Sequence, residues 1–255
     1  FFSSFSQLKN WVKCPFYHKL VNIEKLKGFK GSEHTAFGSA IHEVYEKRVL
    51  RQIDEGQEQS LFKEAFVKEI QKLISDGIEL DKKLVLEMKA QGDKLSPIGV
   101  PALKEYFGDY EVFSAEEKIY EKIHDMEYFF KGYIDLVLKT PNGKYHIIDW
   151  KTTSWGWDAR RRSDPMVTYQ LTLYKYYFSK KHNIDINKIE THFALAKRTA
   201  SKDNVEIFRV SSGARKTQNA LKLLNKALYN IINKRFIKNR LSCERCEFFK
   251  SKHCR

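Results

Sequence analysis

Cysteine is scarce in this chain, four residues in 255, and so are methionine (three), proline (five) and glycine (twelve). No apolar run approaches the length that a bilayer-spanning helix needs, which sets a membrane protein of that kind aside. There is no internal repeat and no low-complexity tract. A Gly-x-x-x-x-Gly-Lys-Ser/Thr loop is also missing, and with it the phosphate cradle of a nucleotide-driven motor. Acid is in short supply: 32 Asp and Glu stand against 46 Lys and Arg, a net charge of +14. Such an excess points to a polyanionic partner, nucleic acid ahead of an anionic membrane. The sequence opens Phe1-Phe2-Ser3-Ser4, without an initiator Met and too polar for a signal peptide, so a trimmed intracellular protein is expected. A chain this long buries roughly three quarters of its unfolded surface and needs no disulfides for stability.

The stretch from Lys131 to Lys151 organises what is present. It runs Gly132-Tyr133-Ile134-Asp135, then Pro141-Asn142-Gly143, then Ile147-Ile148-Asp149-Trp150-Lys151-Thr152. Two apolar, β-branched runs around a Pro/Asn/Gly cluster predict a β-hairpin. A two-residue Asn142-Gly143 loop would set Asp135 opposite Trp150, whereas a three-residue Pro141-Asn142-Gly143 loop sets it opposite Asp149. The second is favoured, because Pro141 suits the first position of a type I turn and Gly143 the left-handed residue after it. Alternation then puts Asp149 and Lys151 on one face and Ile148 and Trp150 on the other. Neighbouring carboxylates repel, and a divalent cation with oxygen ligands relieves the repulsion. There it could activate a water and polarise a phosphoryl oxygen, with Lys151 positioning the nucleophile or stabilising the transition state. An Asp followed two residues later by a Lys is common by chance, so the context has to carry the reading.

That context spans the chain. Residues 3–13 predict a short helix with Phe5, Leu8, Trp11 and Val12 on one side, ended by Pro15 after Cys14. Residues 33–53 predict a helix with His42 among apolar neighbours and Glu46 one turn on, a pairing that would satisfy the histidine without any metal. Helices are expected at 61–74, 80–90 and 97–107, punctuated by Gly77, Gly92 and Gly99. Strands follow at 110–123, 128–138 and 145–152, with Glu116 and Glu117 in the first, either of which could reach a metal through water. Trp155-Gly156-Trp157-Asp158 precedes Arg160-Arg161-Arg162, which suits stacked bases and phosphates of a single strand or, equally, a hydrophobic loop anchor with solvated arginines. Asp164 can cap a helix from about 166 to 181 that sets Gln170 and Tyr174 on one face. Strands at 189–197 and 205–210 and a helix at 214–238 lead to Cys243, Cys246 and Cys254, spaced Cys-x2-Cys-x7-Cys. With Cys14 these give four thiolates, enough for a 4Fe-4S cluster or a structural zinc, and spacing does not choose between them.

Gly-x-x-Asp, Ile-Ile-Asp-Trp-Lys-Thr and Gln170-x-x-x-Tyr174, with Gly38-x-x-x-His42 upstream, resemble the PD-(D/E)XK nucleases of the RecB type. The pattern is closest to the CRISPR-associated and phage RecB-like exonucleases and the nuclease domains of AddB. The resemblance implies an α/β, restriction-endonuclease-like fold: a mixed central sheet with flanking helices, a helical N-terminal region and a C-terminal iron-sulfur staple. It implies one domain over 1–255, with a helical region at 1–109, a nuclease core at 110–212 and a cysteine-bearing end at 213–255. His42, Asp135, Asp149 and the Trp150 carbonyl would hold Mg2+ or Mn2+, with Lys151 catalytic and Gln170 and Tyr174 bordering the active site and contacting the substrate strand. Cys14, Cys243, Cys246 and Cys254 would hold a 4Fe-4S cluster. The second acid is Asp where many members have Glu, which leaves the metal chemistry intact.

The expected function is a metal-dependent DNA exonuclease that prefers single-stranded ends, in the cytoplasm, or a host's if phage-encoded, alongside recombination or replication proteins. Two other readings stand beside it: a non-catalytic module that binds DNA ends, and an endonuclease acting on CRISPR spacers or recombination intermediates. The intact set His42, Asp135, Asp149 and Lys151 favours catalysis, because a vestigial site should have lost at least one of them. A His ligand would make activity fall at acid pH, since the ring must be neutral to coordinate.

Overall fold

The computed structural model describes residues 2–26, 29–123 and 127–254. A two-residue strand, β1 (Phe2–Ser3), leads into α1 (Phe5–Lys13), whose Ser4 cap accepts a hydrogen bond from the Gln7 amide at 3.3 Å. Cys14 breaks the helix in an extended conformation, and Pro15 both ends α1 and opens α2 (Pro15–His18). A proline suits that first turn, where its missing N–H would have had no helical acceptor.

Four helices follow: α3 (Glu33–Val49), α4 (Glu58–Ser75), α5 (Lys82–Leu95) and α6 (Gly99–Phe107). Gly77, at φ +74°, ends α4 as its sequence position suggests. Gly92 does not punctuate: it lies inside α5, where an added Cβ would stand 1.9 Å from the Phe62 ring. Gly99 opens α6 against Tyr45, whose ring would meet an added Cβ at 2.3 Å. The scarce glycines here serve close packing between helices.

The sheet is mixed, as expected. Its strands are β2 (Glu111–Lys122), β3 (Phe129–Lys139), β4 (Tyr145–Thr153), β5 (Ile189–Lys197) and β6 (Val205–Val210), with β1 at one edge. The order is β1-β3-β4-β5-β6, and β2 pairs with β3. β4 and β5 run parallel, joined through α7 (Ala159–Ser163) and α8 (Pro165–His182), which Asp164 caps through the Met166 amide. One face is covered by α1, α8 and α9 (Ala214–Ile232), and the other by α3 to α6, giving two apolar layers around the sheet.

The hairpin register decides the site. Thr140 and Lys144 close a three-residue loop, with the Thr140 amide donating to the Lys144 carbonyl at 3.0 Å and Gly143 at φ +77°. Leu136 pairs with Ile148 as the last β3–β4 pair, in the register expected of the three-residue loop, and Asp135 and Asp149 follow directly beyond it. β2 occupies one edge of β3. On the other edge β1 takes Phe129 and Phe130, and β4 takes Leu136 to Lys139. Residues 131–135 are left with no strand partner on that side among the described residues.

The last helix is shorter than its sequence suggests. α9 stops at Ile232, and Lys234 at φ +53° turns the chain toward α1. There the Phe16 amide donates to the Ile237 carbonyl at 3.3 Å and Asn239 Nδ2 to the Lys13 carbonyl at 2.8 Å.

Candidate active site

Beyond Ile148, β4 leaves β3 and pairs only with β5. Asp135 bridges the gap, its Oδ2 accepting from the Trp150 amide at 2.7 Å. Asp149, 1% exposed, faces Lys151 in an ion pair. Its Oδ1 accepts from Gln170 Nε2 at 2.9 Å, and the same nitrogen lies 3.3 Å from the Tyr174 hydroxyl. The i, i+4 spacing on α8 therefore sets both residues against the second acid. Gly132 makes room for this: an added Cβ would sit 2.5 Å from the Tyr174 ring.

From the other face α3 brings His42, whose Nδ1 is 3.7 Å from Asp135 Oδ2. Gly38, one turn earlier, runs close to the end of β4, where its added Cβ would be 3.2 Å from Thr152 Oγ1. The carboxylate against the His42 ring is Asp135, while Glu46, expected as its partner, lines the same cleft one turn on. Asp149 and the Trp150 backbone raise the His42 pKa, against the larger lowering by burial and Lys151. His42 thus stands against Asp135, and Lys151 against Asp149, at the unpaired stretch of β3, while among the described residues His42, Asp135 and Asp149 are not gathered to within 4.8 Å of one another.

The electrostatics follow from crowding. Burial pushes the Asp149 carboxyl up to about 6, against Lys151 and helped by Asp135. Burial likewise raises Asp135, against the pull of Lys151. Against the burial that would lower it, Lys151 is held above the usual lysine range by Asp149 and Asp135. His42 is pushed down to about 4 by burial and by Lys151, so its ring is neutral at pH 7 and able to coordinate. Two carboxylates forced together at such a cost fit a hard cation with oxygen and imidazole ligands.

Of the two glutamates on β2, Glu116 is the one that enters the cleft, lining it beside His42, Glu46 and Asp135. Its backbone is left-handed, φ +47°, and its carboxyl is pushed up to about 7 by burial, Asp135, Glu46 and Asp149. Glu117 faces away, bound to Lys181 and 2.9 Å from His182 Nε2. Alternation along the strand could separate the two but not say which one turned inward. Burial, then Lys151 and Arg161, lowers the pKa of Lys9 on α1.

The tryptophan loop divides between its two readings. Trp157 is an anchor, 6% exposed and packed on Phe193 and Phe208, so its ring is not open to a base. Arg162 is tied to the Trp157 carbonyl at 2.7 Å and to Glu206 at 2.6 Å, and Arg161 covers the Trp157 ring. Trp155, 67% exposed, keeps an open face.

All four cysteines are free, and the fold brings the two chain ends together in one corner. Cys14, Cys246 and Cys254 share a small cluster with Tyr17, Leu20 and Phe248. The Asn239 amide donates to Cys14 Sγ at 3.3 Å, and Cys243 Sγ reaches the Asn239 carbonyl at 3.9 Å. Among the described residues no three thiols stand within 4.8 Å of one another. A tetrahedral zinc with bonds of about 2.3 Å would set its sulfurs roughly 3.8 Å apart. The thiols are therefore gathered in one corner but stand farther apart than a closed tetrahedral zinc site requires.

A mixed sheet carrying two acids and a lysine at the mouth of a splayed hairpin is the candidate catalytic centre of this fold. The chain belongs to the PD-(D/E)XK nuclease superfamily, whose family model matches residues 3–251. None of the curated proteins matches the sequence. Among solved structures, a "putative exonuclease" from Eubacterium rectale superposes with a TM-score of 0.60 at 16% identity, over 96% of this chain and 85% of that one. That likeness shows the fold. The structure of SSO0001 aligns over 92% of this chain and 91% of that one, at a TM-score of 0.38 and 14% identity. Among the described residues no helix is long and apolar enough to cross a membrane.

Proposed function

We propose that this nuclease digests single-stranded DNA from an end, using Mg2+ or Mn2+ held by His42, Asp135, Asp149 and the Trp150 carbonyl. The convergence of these groups with Lys151 at the unpaired stretch of β3 carries the reading. The metal would supply an activated water and charge stabilisation at the phosphoryl group. Lys151 orients the attacking water or the developing charge, and Gln170 fixes the Asp149 carboxylate that faces it. The +14 charge supports a polyanionic substrate, and the open face of Trp155 beside Arg160 suits a stacked base. Without a nucleotide-binding loop the chain has no motor of its own, so unpaired DNA comes from other machinery, such as recombination or replication proteins.

End-labelled linear single strands, blunt duplex and closed single-stranded circles, each with and without Mg2+ or Mn2+, test this directly. Linear single strands are expected to disappear fastest, duplex more slowly, and circles to resist. Rapid cutting of a circle would move the assignment to an endonuclease, and end binding without any cutting would move it to a non-catalytic module.

We also infer that Cys14, Cys243, Cys246 and Cys254 hold a 4Fe-4S cluster in the mature protein. The cross-chain bonds at Phe16, Lys13 and Asn239 support it, since they already bring Cys14 against the segment bearing the other three. Protein purified without oxygen is expected to be brown and to contain iron and sulfide, and Cys14→Ser to lose both together with thermal stability. One zinc per chain without iron would overturn the assignment.

A further inference from the structure

A second group of potential ligands lies at the start of β4, roughly 10 Å along the strand from Asp149 and on the opposite face. His146 on β4 faces Glu190 and His192 on β5, and one ligand atom from each lies within 4.8 Å of the others. The histidines are 6% and 2% exposed, walled by Phe107 at 4.9 and 5.0 Å between ring centres and by Tyr106. None of them contributes to the nuclease centre.

The hydrogen bonds around His146 fix its tautomer. Thr140 Oγ1 lies 3.0 Å from His146 Nε2 and gives its own hydrogen to Asn142 Oδ1 at 2.6 Å. It must therefore accept from the ring, which puts the proton on Nε2 and a lone pair on Nδ1. That lone pair looks at Glu190 Oε2 from 3.8 Å, too far for a hydrogen bond and with like partial charges facing. The other oxygen, Oε1, is taken by Lys144 at 2.6 Å and approached by Arg209 at 3.7 Å. Neither His146 Nδ1 nor His192 Nδ1 has a hydrogen-bond partner. Burial lowers the pKa of both imidazoles. Buried polar atoms without partners are rare and costly, and one of them, His146 Nδ1, faces the Glu190 carboxylate.

We propose that His146, His192 and Glu190 form a second metal site, for a divalent ion of the zinc type. Imidazole donors with one carboxylate suit zinc, cobalt or nickel over magnesium or calcium, which separates this site from the nuclease centre by chemistry as well as by place. Bonds of about 2.0–2.1 Å put tetrahedral donors roughly 3.4 Å apart, so closing the His146–Glu190 pair needs a contraction of only a few tenths of an ångström. The Thr140 contact supplies the outer hydrogen bond that orients a metal-bound histidine. Lys144 and Arg209 hold the carboxylate from its far side. Glu190, partly exposed, leaves a path for the ion and for a water as fourth ligand. Bound there, the ion would clamp the β4–β5 pair beneath α6.

Chelator-treated protein titrated with Zn2+ alone, by calorimetry and thermal unfolding, tests the proposal in wild type, His146→Phe, His192→Phe and Asp149→Asn. Phenylalanine fits the aromatic wall, so the histidine variants are expected to fold. Wild type and Asp149→Asn should share a bound equivalent, with its rise in Tm, that both phenylalanine variants lack. Equal stoichiometry and equal Tm gains in wild type and the histidine variants would overturn the proposal, as would loss of that equivalent in Asp149→Asn. X-ray absorption of zinc-loaded Asp149→Asn gives a reading that needs no histidine variant. Two imidazoles in the shell are expected, and a shell of sulfur alone or of oxygen alone would refute the site.

Discussion

His42 and Glu116 line one cleft with Asp135, Asp149 is buried beside it, and the protons of these groups decide when the site accepts a metal. Asp149 is pushed up to about 6 and Glu116 to about 7, while His42 is pushed down to about 4. A histidine ligand suggests that imidazole sets the acid limit of activity. The geometry moves that limit to the carboxylates, because His42 stays neutral well below their range. Both carboxyls have folded pKa values above their unfolded ones, so in metal-free protein each favours the fold below about pH 4. That contribution is lost as pH rises through 6 to 7. A divalent ion reverses the loss. Mn2+ affinity should fall as pH drops from 7 toward 5, and the Mn2+-induced gain in Tm should be larger at pH 8 than at pH 5.5. An affinity that holds down to pH 5 and falls only near 4 would show that His42 sets the limit after all. Gly132 makes a second residue-scale prediction. Its Ala variant puts a methyl into the Tyr174 ring, and overpacking of this kind costs about 1–3 kcal/mol, read from denaturant midpoints. The motif residues were legible through the family resemblance and not from spacing alone, whereas the choice of Glu116 over Glu117 was not legible, since its left-handed backbone obeys no pattern visible on the strand.

At the scale of elements, the β3–β4 hairpin was the most legible part of the fold. Pro141, Asn142 and Gly143 each have a turn position that suits them, and the loop length then dictates the Leu136–Ile148 pairing that sets Asp135 and Asp149 at the mouth of the hairpin. The splaying of β4 from β3 was not legible, because it depends on Asp135 accepting the Trp150 amide in place of a ladder bond. Helix ends far from caps were also hidden: α9 stops at Ile232 where the chain turns to meet α1, a tertiary contact without a local signal. The tryptophan loop carried two readings that the sequence could not part, and burial divides them residue by residue. Trp157→Ala should cost about 3–5 kcal/mol of stability as an emptied core site. Trp155→Ala should leave Tm unchanged and weaken single-strand affinity by the roughly 1–3 kcal/mol of one stacked base. Unfolding curves and binding isotherms on the two variants separate the roles, and a stable Trp157→Ala protein would show that the anchor is misassigned.

Across the whole molecule there are three distinct constellations, two on the sheet and one off it. The nuclease centre sits where β3 lacks a partner, the His146–Glu190–His192 group lies at the start of β4 on the other face, and the cysteines lie where the two chain ends meet. The cysteine corner was foreseeable because the chain has only four, whereas the His/Glu group was not, since it joins strands more than forty residues apart in sequence. The central claim is that Asp149 and Lys151 carry metal-dependent cleavage of DNA. The most direct test is the rate of Mg2+- or Mn2+-dependent release from end-labelled single-stranded DNA by wild type, Asp149→Ala and Lys151→Ala, with binding measured alongside. Cleavage should fall about a thousandfold or more in each variant, the scale of losing metal or transition-state stabilisation, while DNA binding persists. Cleavage by either variant at near wild-type rate would contradict the account and place the active centre elsewhere in the molecule.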